Sequence, residues 1–213
     1  NPRNPNSPPQ RVVAGNRTED EMAHLWIQVL PENNLDLQVL NESKARHQLT
    51  KYPNKHDKRI SLGKALVAQG KNVDAVSEFR KIIESDPRHI AARYNLACVL
   101  SLDGKKVSAK EAFHSVLRID PDHVESYNNL ATILYGEGHL EEATKYYREA
   151  LERRPYFAIG HNNLGLALQR LGRLEEAATH YRRALELRPN FTIAAKRLER
   201  IKQLQESSQS DEP

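Results

Sequence analysis

The sequence predicts an all-α fold in which antiparallel helix pairs stack into a right-handed superhelical solenoid, preceded by an extended or β-like N-terminal arm. Prolines recur at a constant interval of 34 residues, which is typical of stacked two-helix units. Leucines four residues apart recur at the same interval and give the first helix of each unit an apolar face. A single unit cannot bury that face alone, so neighbouring units must stack. The prolines are Pro53, Pro87, Pro121, Pro155 and Pro189.

Three further residue classes keep the 34-residue step and have distinct roles in each predicted unit. A glycine tolerates the backbone conformation that a tight turn between the two helices requires. A small alanine lets the helices approach closely, and an aromatic residue four positions later fills the gap to the next unit. A proline then ends the second helix. The series are Gly70, Gly104, Gly138 and Gly172; Ala75, Ala109, Ala143 and Ala177; Phe79, Phe113, Tyr147 and Tyr181; and, for the leucines, Leu62, Leu96, Leu130 and Leu164, then Leu66, Leu100, Leu134 and Leu168.

These positions resemble the tetratricopeptide-repeat (TPR) family, whose pattern is W-x2-L-G-x2-Y, then A-x3-F, then P, at the same period. The segment HNNLGLALQRLGRLEEAATHYRRALELRP at 161–189 follows that pattern closely. The chain departs from it at the Trp position, which holds Arg59, Arg93, Tyr127 and His161, and His161 is expected to be a packing residue. The resemblance implies a binding scaffold that is not itself an enzyme.

The period also predicts how the chain is divided. Residues 1–33 are expected to form an arm that includes a possible strand from a preceding domain. Residues 34–55 are expected to hold a lone helix in repeat register, because Pro31 falls where its partner helix would lie. The remaining segments are four repeats at 56–89, 90–123, 124–157 and 158–191, a capping helix at 192–207 and a disordered tail at 208–213.

Residues 22–30 favour a strand, because apolar residues alternate from Ala23 to Val29, although a helix with Met22 and Trp26 on one face remains an alternative. The surrounding segment GNRTEDEMAHLWIQVLP resembles the end of the C-terminal domain of type II copper, ascorbate-dependent monooxygenases. In that family the Met of a G-x-x-T/S-x-D-E-M segment ligates copper, and Met22 matches it. The resemblance implies an accessory region of a multidomain protein in an extracytoplasmic location.

The copper-binding histidine sites of that family have no counterpart in this chain. One thioether cannot hold a metal, so Met22 would ligate copper only beside an upstream copper domain. We therefore expect the chain by itself to bind no metal and no cofactor.

The composition narrows the class of partner. Charged residues make up 28% of the chain and the formal net charge is +4, but both signs are interspersed, whereas a nucleic-acid binder clusters its basic residues. No segment has the roughly 20 consecutive apolar residues of a membrane span. The single cysteine, Cys98, is expected to be a small, partly buried residue. A protein or peptide is therefore the expected partner, rather than nucleic acid or a membrane.

In the TPR family the first helix of each unit lines a concave groove, and the matching positions here are rich in amides. An amide offers both donors and an acceptor, which suits the backbone of an extended peptide. We expect Asn95, Asn129 and Asn163 to lie in a row on this face with their amides pointing into open space. Two functions stay open: a scaffold that binds an extended segment in this groove, and the accessory region of a copper-monooxygenase-like protein. The candidate groove residues are Asn95, Asn129, Asn163, Tyr94, Asn128, Asn162 and Tyr135.

Overall fold

The computed structural model describes residues 34–210, with the side chains of Leu35 and of residues 204–210 excepted. All regular secondary structure within that range is α-helical, and each helix packs against the next one in the chain. The all-α solenoid predicted from the sequence is thus confirmed. The helices are α1 (Asn34–Lys51), α2 (His56–Ala68), α3 (Asn72–Ser85), α4 (Ile90–Leu102), α5 (Lys106–Ile119), α6 (Val124–Glu137), α7 (Leu140–Arg153), α8 (Ala158–Arg170), α9 (Leu174–Leu187) and α10 (Thr192–Ser210).

The stack is built from first helices (α2, α4, α6 and α8) and second helices (α3, α5, α7 and α9) in alternation. Consecutive first helices also touch one another: α2 contacts α4, α4 contacts α6, and α6 contacts α8. One side of the stack is therefore a continuous surface of first helices, which positions the candidate groove.

The core follows the residue series that the period identifies. The aromatic residues Phe79, Phe113, Tyr147 and Tyr181 are all buried, and so are the four alanines that precede them by four positions. Burying an aromatic side chain removes a large apolar surface from water, at roughly 25 cal/mol for each Å². The core clusters that contain these rings also include buried residues of the following helices, so this burial couples neighbouring repeats.

The chain leaves each second helix through an extended residue that precedes a proline. Asp86, Asp120, Arg154 and Arg188 have ψ angles of 89°, 92°, 85° and 88°. The proline ring disfavours helical conformation in the residue before it, so the second helices end at the same repeat position each time.

The turn glycines adopt the left-handed conformation. Gly70, Gly104, Gly138 and Gly172 have φ angles between 72° and 87°. A Cβ at any of them would meet nothing within 4 Å, so the requirement for glycine is in the backbone and not in the available space. Residues with a Cβ are sterically disfavoured in this region of backbone conformation.

Substituting Gly138 by Ala is therefore expected to lower the free energy of unfolding by about 1–2 kcal/mol, as measured by urea denaturation. Gly136 provides a matched control two residues earlier, since it lies inside α6 and a Cβ there also meets nothing within 4 Å. Gly136→Ala is expected to raise the stability by about 0.5–1 kcal/mol, because alanine is the better helix former. Equal effects of the two substitutions would contradict the backbone argument.

Helix α1 lies at the start of the stack and packs on α2. A nearly buried carboxylate helps to hold it: Glu42 accepts hydrogen bonds from Lys71 Nζ at 2.6 Å and from Arg46 Nε at 2.7 Å. Lys71 makes the largest contribution to lowering the pKa of Glu42, to about 2, against the opposing effect of burial. Lys71 belongs to the turn after α2, so this ion pair ties α1 to the first complete helix pair.

Helix α10 closes the other end of the stack against α9. Its apolar face is buried at Ala194, Leu198 and Ile201. The helix extends to Ser210 and so includes the first three residues of the tail expected at 208–213. No glycine or proline interrupts the chain from Thr192 to Ser210, so nothing local stops the helix.

The arm at 1–33, including Met22, and the final residues 211–213 lie outside the described residues.

Candidate binding groove

One repeat position forms a row along the first helices. Ser61, Asn95, Asn129 and Asn163 occupy it on α2, α4, α6 and α8, and each is at least partly exposed. The residues directly before them in the last two repeats, Asn128 and Asn162, are buried, with 7% and 5% of their surface exposed.

The amides of Asn129 and Asn163 bond to the preceding repeat. Asn163 Nδ2 donates to Asn128 Oδ1 at 3.0 Å, and Asn129 Nδ2 donates to the hydroxyl of Tyr94 at 3.1 Å. Both bonds join residues 35 apart in the sequence, because each connects the row position of one repeat with the position just before it in the preceding repeat. The same geometry therefore recurs from one repeat to the next.

Bonds within each repeat link these steps into one chain. Asn162 Nδ2 donates to Asn163 Oδ1 at 3.0 Å, and Asn128 Nδ2 donates to Asn129 Oδ1 at 3.3 Å. At the C-terminal end, Arg197 Nη1 donates to Asn162 Oδ1 at 2.9 Å. Every donor points the same way, from α10 through α8 and α6 to Tyr94 on α4. Aligned bonds polarise one another, and the Arg197 cation lies at the donor end, where its charge favours this direction.

The expectation that the amides of the row point into open space is wrong for Asn129 and Asn163. Each Nδ2 group already donates to a neighbouring side chain. The reason is the close approach of successive first helices, which brings an amide of one repeat within hydrogen-bond distance of the repeat before it. Each amide has two N–H groups and two acceptor lone pairs, so Asn163 still has one donor and one lone pair beyond its bonds in the chain.

The hydrogen-bonded chain ends at the second repeat because the residue type changes. Asn95 would reach the position of Ile60 in the preceding repeat, and isoleucine offers no acceptor. Asn95 Nδ2 instead donates to the carbonyl oxygen of Ala91 in its own helix at 2.6 Å. Ser61 likewise donates to the carbonyl oxygen of Asp57 at 2.9 Å. The N-terminal half of the row thus makes no bonds between repeats through these side chains.

Tyrosine and cysteine side chains surround the end of the chain on α4. Tyr94 is half-buried, its ring lies 5.9 Å from that of Phe113, and burial raises the pKa of its hydroxyl. Cys98 is also half-buried, and burial raises the pKa of its thiol. A raised pKa keeps the thiol protonated, which makes it a poor nucleophile and agrees with the packing role expected for it.

Tyr135 lies further along the first-helix surface and stacks with Arg170. The guanidinium carbon of Arg170 is 4.7 Å from the centroid of the Tyr135 ring, and Arg170 Nη1 donates to the Tyr135 carbonyl oxygen at 3.3 Å. A guanidinium over an aromatic face is a favourable cation–π pair. Tyr135 therefore presents its ring on this surface together with the Arg170 guanidinium.

The N-terminal end of the first-helix surface contains a cavity of about 690 Å³ between α1 and α2. Ser61 lines it, so the cavity continues the row of polar side chains. Three lysines also line it, Lys44, Lys58 and Lys64, and Lys58 Nζ lies 3.2 Å from an Asp57 oxygen. The surface of first helices is therefore basic at this end and amide-rich in its centre.

His161 replaces the Trp of the family pattern and pairs with His180. Their rings are stacked, the two Nδ1 atoms are 3.0 Å apart, and His161 Nε2 lies 3.0 Å from the Pro155 carbonyl oxygen. Burial lowers the pKa of both rings, and that of His180 falls to about 4 with a further contribution from His161. Both histidines are thus neutral near pH 7, and His161 fills the packing role expected for it.

Two participants in this surface are absent from the groove residues predicted from the sequence. Arg197 lies one period of 34 after Asn163, so continuing the repeat count into the capping helix identifies it. Lys64 follows Ser61 by about one helical turn on α2, and the same face pattern identifies it. The cavity that it lines could not be foreseen, because its other wall comes from α1.

Comparisons with known proteins agree with this architecture. Family models described as "Tetratricopeptide repeat" match residues 66–133, 124–157 and 158–191. No curated protein sequence matches the chain closely enough to count as a relative.

Several solved structures share the fold. PilF of Pseudomonas aeruginosa has a TM-score of 0.67 at 23% identity, over 78% of this chain and 71% of that one. A thermophilic TPR protein of Thermus thermophilus, TTC0263, has a TM-score of 0.67 at 17% identity, over 86% of this chain and 98% of that one. YrrB, described as a TPR protein with an unusual peptide-binding site, has a TM-score of 0.58 at 19% identity, over 76% of this chain and 84% of that one.

These matches support one of the two resemblances in the sequence, the one to TPR proteins. None of the proteins named here is a copper monooxygenase, so the resemblance at residues 1–30 and the accessory-region hypothesis gain no support. Among the described helices, none is long and apolar enough to cross a membrane. TPR arrays generally act as non-catalytic scaffolds for protein partners. The period, the fold and the family models together show that the chain belongs to the tetratricopeptide-repeat family.

Proposed function

We propose that this protein is an interaction scaffold that binds an extended polypeptide segment along the surface of its first helices. The observation that carries the proposal is the row of partly exposed amides at one-repeat intervals, Asn95, Asn129 and Asn163, with hydrogen-bonding groups left over after their contacts within the protein. An extended peptide presents its own N–H and C=O groups at regular intervals, so such a row can bond it with little dependence on sequence.

The buried amides have a supporting role in this proposal. Asn128 and Asn162 lie behind the row and hold its side chains through hydrogen bonds, so they fix the orientation of Asn129 and Asn163 before a ligand arrives. Side chains that are already ordered lose less conformational entropy on binding, which favours affinity. Tyr94 and Tyr135 supply aromatic surface beside the row.

The basic end of the groove gives the ligand a preferred direction. Lys44 and Lys64 line the cavity next to Ser61, and both lysines are exposed. A segment with an acidic residue at one end would place that residue here and its polar backbone against the amides. Attraction between exposed charges is screened by salt, so this part of the affinity is expected to fall as ionic strength rises.

The test is a display selection. Short random peptides are panned on the full chain, and the recovered peptides are titrated against variants. Asn95→Ala and Lys64→Ala are each expected to weaken binding by about two- to tenfold, the value of one hydrogen bond or one charge-assisted contact. These two residues are chosen because neither takes part in the hydrogen-bonded chain of amides.

Lys145→Ala is the matched control, since Lys145 is an exposed lysine on α7, a second helix. The Lys145→Ala variant is expected to bind the selected peptides with the same affinity as the wild-type protein. Peptides whose affinity is unchanged in both groove variants, or reduced as much by Lys145→Ala, would place the binding surface elsewhere and refute the proposal.

A further inference from the structure

Two histidines and one aspartate converge at the junction of the first and second repeats. His56 is the first residue of α2, Asp86 follows the end of α3, and His89 precedes α4. One potential ligand atom from each residue lies within 4.8 Å of the other two, and all three residues are partly buried. The two imidazole rings meet edge to face with centroids 5.1 Å apart.

The surroundings of His56 leave a ring nitrogen available. Its Nε2 lies 3.2 Å from Ser85 Oγ, and Ser85 Oγ is itself 2.9 Å from the Ile82 carbonyl oxygen, to which it donates. Because the serine proton is in use, the tautomer of His56 that suits this contact carries its proton on Nε2, which leaves the Nδ1 lone pair for a ligand. Metal-bound histidines commonly have this arrangement, in which the second ring nitrogen donates to a fixed acceptor.

Asp86 is held in place by its own turn. One carboxylate oxygen, Oδ1, accepts a hydrogen bond from the Arg88 backbone N–H at 3.1 Å, which leaves the other oxygen for a ligand. His89 is engaged differently, since its Nδ1 accepts the Ala92 backbone N–H at 3.1 Å and caps α4. A metal ion that takes His89 must therefore exchange this cap for a metal bond, which reduces its net affinity.

The repeat itself explains why the cluster occurs only once among the described residues. Asp120 and His123 repeat the positions of Asp86 and His89, and His123 caps α6 in the same way, accepting the Ser126 N–H at 3.3 Å. The remaining ligand does not recur, because the position 34 residues after His56 holds Ile90. The cluster is thus complete where histidine replaces an apolar residue at the first position of α2.

We propose that His56, Asp86 and His89 form a binding site for a divalent transition-metal ion of the Zn²⁺ type. Two imidazoles and a carboxylate are a ligand set that Zn²⁺ accepts in proteins, with water in the fourth position. Ligand atoms around tetrahedral Zn²⁺ are about 3.3 Å apart, so small side-chain rotations from the present separation would close the site. The ion would tie the start of α2 to the turn between α3 and α4 and so join the first two repeats.

The test is isothermal titration calorimetry of the full chain with ZnCl₂, with MgCl₂ as the comparison ion. His56→Ile copies the residue found at the same position of the second repeat, and His89→Asn removes the imidazole but retains a good helix N-cap. Each is expected to weaken Zn²⁺ binding by at least about tenfold, and Ser85→Ala by about tenfold through loss of the bond that orients His56. Mg²⁺ is expected to bind to neither the wild-type protein nor the variants.

Two further variants use the second repeat as an internal reference. His123→Asn changes a capping histidine without a third ligand and is expected to leave Zn²⁺ binding unchanged. Ile90→His completes the second trio with Asp120 and His123 and is expected to add one bound ion. Unchanged Zn²⁺ affinity in His56→Ile and His89→Asn, with helical content intact by circular dichroism, would overturn the proposal, and so would an Ile90→His variant that binds no additional ion.

Discussion

Leu130→Ala is expected to lower the free energy of unfolding by about 2–5 kcal/mol, because it removes a fully buried side chain and leaves a cavity. Leu130 lies on α6 with 1% of its surface exposed, in a core cluster with Phe113 and Ile133. That cluster joins α5 with α6 and so crosses from the second repeat to the third. The measurement is urea denaturation followed by circular dichroism.

Val107→Ala is the control for this substitution, since Val107 lies on α5 with 67% of its surface exposed. Its effect is expected to stay within about 0.5 kcal/mol. Because repeats are stabilised by contacts with their neighbours, Leu130→Ala should also speed amide hydrogen exchange in α4, α5, α7 and α8. If Leu130→Ala lowered the free energy of unfolding by less than about half a kcal/mol, the repeat register would be contradicted.

Asn163→Ala is expected to cost about 1–3 kcal/mol of stability although the residue is polar and partly exposed, because one polar group on each of two buried amides loses its partner. The Oδ1 atom of Asn128 would lose its donor, and the Nδ2 group of Asn162 would lose its acceptor. Both of those amides are almost inaccessible to water. The measurement is again the free energy of unfolding in urea.

Asn95→Ala is the matched control, because Asn95 occupies the same repeat position but bonds only to its own helix. We expect its effect to stay within about 0.5 kcal/mol. A double substitution of Asn163 and Asn128 should show a coupling energy, since the two side chains share a bond. Equal losses for Asn163→Ala and Asn95→Ala would mean that the chain of amides contributes nothing to stability.

These two predictions together define how a scaffold of this kind can be altered. The core leucine governs cohesion between repeats, while the amides belong both to that cohesion and to the proposed binding surface. Substitutions meant to probe binding alone should therefore avoid Asn128, Asn162 and Asn163 and use residues such as Asn95 and Lys64, which stand outside the hydrogen-bonded chain.

The sequence by itself determined the repeat, the turns and the core. A 34-residue period in proline, glycine, alanine and aromatic residues is a local signal repeated four times, so each copy supports the others. Gly138 was identified as a turn residue because only the turn conformation explains a glycine there in every repeat. Tyr181 and its equivalents were assigned to the gap between units from their distance to the alanine alone.

The tertiary structure alone decided what the polar side chains do. The bond from Asn163 to Asn128 and the convergence of His56 with His89 depend on distances between separate helices, and residue spacing fixes these only to within several Å. A hydrogen bond forms or fails within less than one Å, so periodicity could place the amides in a row without showing that they bond to one another. The basic cavity likewise depends on the tertiary structure, because α1 must pack on α2 to bring Lys44 and Lys64 to the same opening.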